Sequence, residues 1–315
     1  MFRQRARAVG VAGLLALVLS ACGSAVEPEL GTAADSSRGA VLAAPTTTAT
    51  TPPTTPPTTS ATPTPAPTTT SSPRPSTTRK AAPNGVNQAA VASSGVAWVR
   101  VGGDEFTGGS LDEGSWGTYD SVGAFGNGRR SPDAVSVVDG ALTITARPGD
   151  GGVSGGVAHA TGQLYGRWEF RARTDKGRGF GSAILLWPDS ERWPDDGELD
   201  MMEVPGENRD LAHTIIHYGG SANKTFGDAT AGDFSQWHTF AFEWLPDRLT
   251  AYVDGRKTFE TTDKAMIPTT PMHATIQLDQ GPAKDWLAAP DDTTPTETRL
   301  QVDYLRVSAL PGQAA

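Results

Sequence analysis

Short runs of alternating or β-branched residues, separated by turn signals, recur from about Gly95 to Leu310. Asp139-Gly140 and Asp254-Gly255 each lie between two such runs, and Asp-Gly favours a tight hairpin because both residues tolerate positive φ. We find no long stretch with apolar residues at helical spacing. The pattern predicts an all-β protein, a sandwich of two packed sheets. Strands are predicted at 134–138, 142–145, 165–172, 183–187, 213–217, 237–244 and 250–253.

The composition changes sharply before this region. From about Ala44 to Pro83 the chain consists almost entirely of Thr, Pro, Ser and Ala. Such a segment buries too little apolar surface to offset its ordering entropy, so we expect it to stay unpacked. Its prolines favour polyproline II, in which about 50 residues reach about 150 Å. We therefore expect a stalk at 22–94 and a folded domain at 95–315, which is large enough to bury a core without disulfides.

The first residues resemble an export signal. Arg3, Arg5 and Arg7 precede an apolar run from Val9 to Leu19 that is too short to span a bilayer permanently. The run ends in Leu19-Ser-Ala-Cys22, which resembles a bacterial lipobox, where the signal is cut before a lipidated cysteine. An ordinary signal peptide with an incidental cysteine is the alternative. No disulfide can form within the chain, because Cys22 is its only cysteine.

This reading predicts a signal peptide at 1–21 and an exported protein held by a lipid on Cys22. The anchor would lie in the outer face of the bacterial cytoplasmic membrane. The stalk would carry the domain into or beyond the cell wall, and we expect the protein to be a monomer.

Charge narrows the class of partner. Residues 1–94 hold seven of the 26 basic residues and three of the 35 acidic ones, so residues 95–315 carry a formal net charge of −13. A surface that acidic argues against nucleic acid or an anionic polymer as partner and suits a neutral ligand.

Three acids lie close together in Glu198-Leu-Asp-Met-Met-Glu203. In a regular strand Glu198 and Asp200 share a face, and Glu203 falls on the other. A β-bulge at Met201-Met202 would restore Glu203 to the face of Glu198. Three carboxylates on one face repel each other, which pushes their pKa values apart and allows an acid and a nucleophile to coexist. A solvated acidic strand is the non-catalytic alternative.

This motif and its surroundings resemble glycoside hydrolase family 16, the laminarinase-like endo-β-glucanases. The resemblance covers nearly all of residues 98–307. Besides the acidic run, it rests on Asp104-Glu-Phe106, 136–146, Tyr165-Gly-Arg-Trp-Glu-Phe-Arg-Ala172, Trp193-Pro-Asp-Asp-Gly-Glu198, Ile216-His-Tyr-Gly219, Phe242-Glu-Trp-Leu-Pro-Asp247 and Val302-Asp-Tyr-Leu-Arg-Val307.

The resemblance implies a β-jelly-roll sandwich of the concanavalin A-like lectin/glucanase type, with a concave substrate cleft and a retaining double displacement. Glu198 would be the nucleophile, Glu203 the acid/base, and Asp200 the group that keeps the pair in complementary protonation states. The bulged motif favours β-1,3-glucan or mixed β-1,3-1,4-glucan as the polysaccharide substrate.

Aromatic side chains offer platforms for the apolar faces of sugars. Trp193 and Trp286 are the candidates for the cleft, together with His217 and Gln277 at positions that line it in the family. Trp187 is a further candidate, because the family's usual tryptophan position holds Leu185 here and Trp187 lies two residues on. The remaining tryptophans are predicted in the core: Trp98, Trp116, Trp168, Trp237 and Trp244.

No required cofactor is predicted. His213 and His217 have helical metal-site spacing, but in a strand they are about 13 Å apart and cannot share an ion. The resemblance does suggest a structural calcium, with Asp303, the Gly140 carbonyl and a group near Glu105 as ligands.

Three functions remain open on the sequence. The first is an endo-acting β-glucan hydrolase. The second is a lectin-like domain that binds glucan without cutting it. The third is a transglycosylase that remodels envelope polysaccharide through the same intermediate.

Overall fold

The computed structural model describes residues 95–149 and 151–313. The predicted signal and the whole of the predicted stalk, Cys22 included, lie outside them. The described part contains three short 3₁₀ helices, at Pro132–Ala134, Gly220–Ala222 and Lys264–Met266, and no helix long and apolar enough to cross a membrane. Its strands are β1 (Val99–Asp104), β2 (Trp116–Thr118), β3 (Ser121–Val122), β4 (Arg129–Arg130), β5 (Val135–Val138), β6 (Ala141–Ala146), β7 (Val153–His159), β8 (Gly166–Thr174), β9 (Phe180–Pro188), β10 (Glu198–Val204), β11 (Leu211–Tyr218), β12 (Lys224–Ala231), β13 (His238–Leu245), β14 (Arg248–Val253), β15 (Arg256–Thr261), β16 (Met272–Gln280) and β17 (Thr298–Ala309).

These strands form two sheets, as predicted. One sheet has the order β15-β14-β13-β8-β17-β6-β5, with β1 also paired to β17. The other, which we call the cleft sheet, has the order β12-β11-β10-β9-β16-β7-β4-β3, with β2 also paired to β7. Almost all neighbours are antiparallel; β4 and β7 pair in parallel. The all-β sandwich is confirmed, and β10 lies inside the cleft sheet rather than at its edge.

The Asp-Gly turns form as the sequence predicts. Asp139 and Gly140 join β5 to β6 with φ of 52° and 75°, and Asp254 and Gly255 join β14 to β15 with φ of 48° and 76°. Positive φ at both central residues matches the twist of the two strands that the turn connects.

The core between the sheets is built by alternation along the strands. On β9, for example, Ile184 and Leu186 are fully buried in the core. The facing sheet contributes Phe170 and Phe240, whose rings stack with centroids 5.2 Å apart. Because side chains alternate along a strand, the residues between these apolar ones point to the opposite face of the cleft sheet, which we call the cleft face.

Four of the five tryptophans predicted in the core are buried: Trp98, Trp116, Trp168 and Trp244. The prediction is wrong for Trp237. It precedes β13 and is only partly buried, and the guanidinium groups of Arg171 and Arg173 each lie 4.8 Å from its ring centroid. A tryptophan ring can be stabilised at the surface by cations over its face, which composition alone does not reveal.

Candidate active site

The predicted bulge is present in β10. Between Asp200 and Met202, β10 advances two residues while β9 advances one, from Leu185 to Ile184. Against β11, the partners move from Asp200–Ile215 to Glu203–His213, again with one extra residue in β10. The extra residue reverses the alternation, so that Glu203 follows Glu198 and Asp200 onto the cleft face while Leu199, Met201 and Met202 are buried.

Glu198 lies at the start of β10, almost fully buried. Trp193 Nε1 donates a hydrogen bond of 2.8 Å to its Oε2. Burial raises the pKa of Glu198, but the charge of His217, the Trp193 N–H, a hydrogen bond with Asp200 and the charge of Arg130 all act to lower it. Burial keeps the pKa of Glu198 above its ordinary value, but these groups make Glu198 easier to ionise than Asp200 or Glu203.

Asp200 is the most deeply buried of the three acids, with 2% of its surface exposed. Burial raises its pKa well above the ordinary value, and the negative charges of Glu198 and Glu203 raise it further. Its Oδ2 lies 3.4 Å from His217 Nε2. A protonated Asp200 can donate to Glu198, and this shared hydrogen bond stabilises the charge on Glu198 while it holds the proton on Asp200.

Glu203 lacks the donors and cations that act to lower the pKa of Glu198. Desolvation, followed by the charge of Glu198, raises the pKa of Glu203 to about 8. No cation or hydrogen-bond donor is among the causes that shift it. Glu203 is therefore protonated at neutral pH in the free protein.

The structure places His217 directly opposite Glu198 in the β10–β11 ladder. His217 is 3% exposed. Its Nδ1 lies 3.0 Å from Asn223 Oδ1, and because an amide oxygen can only accept, Nδ1 is the donor. Its other ring nitrogen, Nε2, faces Asp200. His213 lies four residues earlier on the same strand, opposite Glu203. Both histidines are on the predicted strand and do not form a pair.

Trp187 and Trp193 lie together beside Glu198. Leu185 lies opposite Asp200, and Trp187 is two residues further along β9, so Trp187 is on the cleft face as well. Its partner in the ladder with β16 is His273. Its ring stacks on that of Trp193, with centroids 6.1 Å apart and planes at 13°. The two predicted platform residues thus form one aromatic surface next to the nucleophile candidate.

Gln277 and Trp286 lie on the other side of the carboxylates. Together with Phe125 and Glu203 they line an open depression. Trp286 also packs edge-on against His213, with ring centroids 4.6 Å apart. Aromatic surface is therefore available at both ends of the carboxylate cluster.

Sequence reasoning missed Arg130, Tyr119 and Asp279. Arg130 Nε and Nη2 donate to Asp279 at 2.8 and 2.7 Å, and the guanidinium lies 5.1 Å from the Tyr119 ring centroid. Tyr119 lies against Gly156 of β7, where an added Cβ would collide with its ring. These residues come from segments up to 160 positions apart, so no local motif marks them. Arg130 helps to lower the pKa of Glu198.

Two groups bear on metal binding. Among the described residues, Glu198, Asp200 and His217 could hold an ion, since one ligand atom of each lies within 4.8 Å of the others. Glu198 and Asp200 also belong to the acidic cluster, and nothing in the arrangement of the three residues requires a metal.

The suggested calcium ligands have other partners. Glu105 accepts hydrogen bonds from Arg100 and Arg306, and Asp303 accepts one from Arg171 at 3.2 Å. Gly140 lies in the β5–β6 turn. Guanidinium groups thus contact both carboxylates, and structural calcium stays an untested prediction.

Two solved laminarinase structures superpose on this fold. The catalytic domain of an endo-1,3-β-glucanase (laminarinase) from Thermotoga petrophila superposes with a TM-score of 0.61 at 26% identity, covering 68% of this chain and 98% of that one. The laminarinase from Rhodothermus marinus gives 0.61 at 25% identity, covering 68% of this chain and 98% of that one.

Two curated relatives are described as a β-glucanase and a glucan endo-1,3-β-glucosidase. A β-glucanase of Rhodothermus marinus is 38% identical over 101 residues, which is 29% of this chain and 35% of the relative. A glucan endo-1,3-β-glucosidase of Cryptopygus antarcticus is 29% identical over 184 residues, 50% of this chain and 67% of the relative. The chain thus spans only about a third of the first relative's length and about two thirds of the second's. The profile of the family described as Glycosyl hydrolases family 16 matches residues 127–306, more than half of the chain, and the protein belongs to that family.

Proposed function

We propose that the protein is a retaining, endo-acting glycoside hydrolase of β-1,3-glucan or mixed β-1,3-1,4-glucan. One observation carries the proposal: Glu198 and Glu203 share one face of β10, and burial raises the pKa of both, but only Glu198 has donors and cations that act to lower it. Donors and cations act on Glu198, while burial and a neighbouring negative charge raise the pKa of Glu203 to about 8. Two carboxyl groups with separated pKa values are the requirement of a double displacement.

In the first step, the Glu198 carboxylate attacks the anomeric carbon of the sugar and forms a glycosyl ester. The bond to the glycosidic oxygen breaks at the same time, and the Glu203 carboxylic acid gives its proton to that oxygen. The leaving chain departs as an alcohol, and Glu203 becomes a carboxylate.

In the second step, Glu203 accepts a proton from water as the water oxygen attacks the anomeric carbon. The ester bond to Glu198 breaks, and both carboxyl groups return to their starting states. Two inversions at one carbon give net retention. Asp200 and the Trp193 N–H stabilise the charge on Glu198 each time it is released as a carboxylate.

The substrate class rests on three observations. The relatives named above act on β-glucans, by their descriptions. The net charge of −13 for residues 95–315 disfavours anionic polymers. The aromatic surface of Trp187 and Trp193 and the ring of Trp286 provide platforms on both sides of the acids, which suits an enzyme that binds the interior of a chain. We assign His217 and Gln277 to the same substrate-binding surface.

We further propose that the protein is exported and anchored by a lipid on Cys22, with residues 22–94 as a stalk. Only the sequence supports this, since all of these positions lie outside the described residues. Metabolic labelling with a clickable fatty acid tests it in a bacterial host. We expect label on the wild type and none on Cys22→Ala; equal labelling, or none on either, would refute the anchor.

Activity on four polymers tests the proposed reaction and substrate class together. The purified protein should release oligosaccharides from laminarin or lichenan, and much less from agarose or xyloglucan. Glu198→Gln and Glu203→Gln should each lower the rate by about 10²–10⁴-fold, since each removes one chemical role without changing side-chain volume. Reducing-end assay with product chromatography measures both effects.

Glu113→Gln is the matched control, because Glu113 is an exposed carboxylate before β2 and its loss should leave the rate unchanged. Binding of laminarin without release of products would favour the lectin-like alternative. Products longer than the substrate, formed only with an added acceptor sugar, would favour transglycosylation. Full activity in either glutamine variant would reject the assignment of roles.

The rate of hydrolysis should depend on the protonation of Glu203. The rate constant kcat/KM should fall as pH rises through an apparent pKa near 8, because Glu203 then loses the proton that the leaving group needs. A pH–rate profile on a soluble glucan measures it. A basic limb near the ordinary glutamate value of 4.5 would contradict the assignment.

Thermal unfolding provides an independent check on the same group. The folded-state pKa of Glu203 is raised, so its stabilising effect is complete below about pH 4.5 and is lost as pH rises toward about 8. In the Glu203→Gln variant the amide at this position does not titrate, so this contribution is constant with pH. The melting temperature of this variant minus that of the wild type should increase across that window, by an amount on the order of 10 °C, and then level off.

A further inference from the structure

A loop from Asp189 to Gly197 joins β9 to β10 and carries Trp193 to the nucleophile candidate. One exposed residue of this loop, Glu191, contacts the cleft surface from outside the acidic cluster. Its Oε2 accepts a hydrogen bond of 2.9 Å from Trp187 Nε1. Neither the family resemblance nor the mechanism above uses this residue.

The contacts form a continuous series from the rim of the cleft to its reacting carboxylate. Glu191 holds the indole N–H of Trp187, and the Trp187 ring stacks on Trp193 with planes at 13°. Trp193 in turn donates to Glu198 at 2.8 Å. Trp193 is therefore fixed from two sides, whereas the polar edge of Trp187 is fixed by Glu191.

The loop presents Glu191 in a defined conformation. Glu191 has φ of 56°, a left-handed conformation that a non-glycine residue adopts at some cost, and its N–H donates to Pro188 O at 3.0 Å. Ser190 and Arg192, the residues on either side, both donate to Asp196. The loop is thus tied down by its own side chains, and Glu191 is held where Trp187 needs an acceptor.

We propose that Glu191 is a positioning residue for the sugar-binding platform of Trp187 and Trp193. An indole ring on a strand can occupy several rotamers, and the one that Trp187 adopts lies nearly parallel to Trp193. A fixed acceptor for the indole N–H selects this rotamer, so that substrate does not have to order the ring on binding. The inference rests on the proposed function and names the residue that shapes one of its subsites.

Three variants of the full chain separate this role from others. Glu191→Ala removes the acceptor; Glu191→Gln removes the charge but keeps an oxygen that accepts the indole N–H. Asp195→Ala is the matched control, because Asp195 is an exposed carboxylate of the same loop, for which no contact with either tryptophan is seen among the described residues. For each we would measure kcat and KM on a soluble glucan, and the near-ultraviolet circular dichroism of the free protein.

We expect Glu191→Ala to raise KM about fivefold, the effect of one net hydrogen bond, with a smaller change in kcat. It should also weaken the dichroism of the stacked indoles before any substrate is added. Glu191→Gln should restore both properties, and Asp195→Ala should match the wild type.

Two results would overturn the proposal. One is an unchanged KM and dichroism in Glu191→Ala; the other is a Glu191→Gln variant as impaired as Glu191→Ala, which would assign the effect to charge. If the wild type cut no glucan, the proposed function would fall, while the dichroism of the free variants would still decide whether Glu191 orders the tryptophan pair.

Discussion

The extra residue in β10 is the constraint on which the candidate site depends. A regular strand would send Glu203 into the core, where an unpaired carboxyl group is costly, and leave only Glu198 and Asp200 on the cleft face. The bulge instead buries Met201 and Met202 and turns Glu203 outward. Because β10 is enclosed by β9 and β11, the sheet fixes this irregular register on both sides. A strand at the edge would be free to slip.

The bulge also creates the electrostatic problem that the surroundings resolve. Three close carboxyl groups on one strand, two of them buried and the third half-buried, cannot all be ionised, because desolvation and mutual repulsion both favour protonation. The donors and cations are not shared equally. Trp193, His217 and Arg130 favour charge on Glu198, whereas Glu203 has no such support. The division between nucleophile and acid thus arises from neighbours that lie on other elements.

The sequence predicts the parts of this arrangement that are local. Alternation and the Asp-Gly turns reveal the strands, and the spacing of the three acids requires a bulge if they are to share a face. Arg130, Tyr119 and Asp279 could not be found in this way, since their contacts join β4, β7 and β16 across the sheet. Trp237 was assigned to the core on residue type, but two arginines stabilise it at the surface. Glu191 carries no sequence signal, because its partner becomes apparent only when the loop is folded back on β9.

The central claim is that Glu198 attacks the sugar while Glu203 supplies the proton. Trapping the covalent intermediate tests it most directly. The protein would be incubated with an activated 2-deoxy-2-fluoro glycoside of a β-1,3-linked glucose disaccharide, digested, and examined by mass spectrometry. The account predicts one disaccharide adduct, on the peptide that contains Glu198, and none in Glu198→Gln. An adduct on Glu203 or Asp200, or hydrolysis that inverts the anomeric configuration without any adduct, would contradict it.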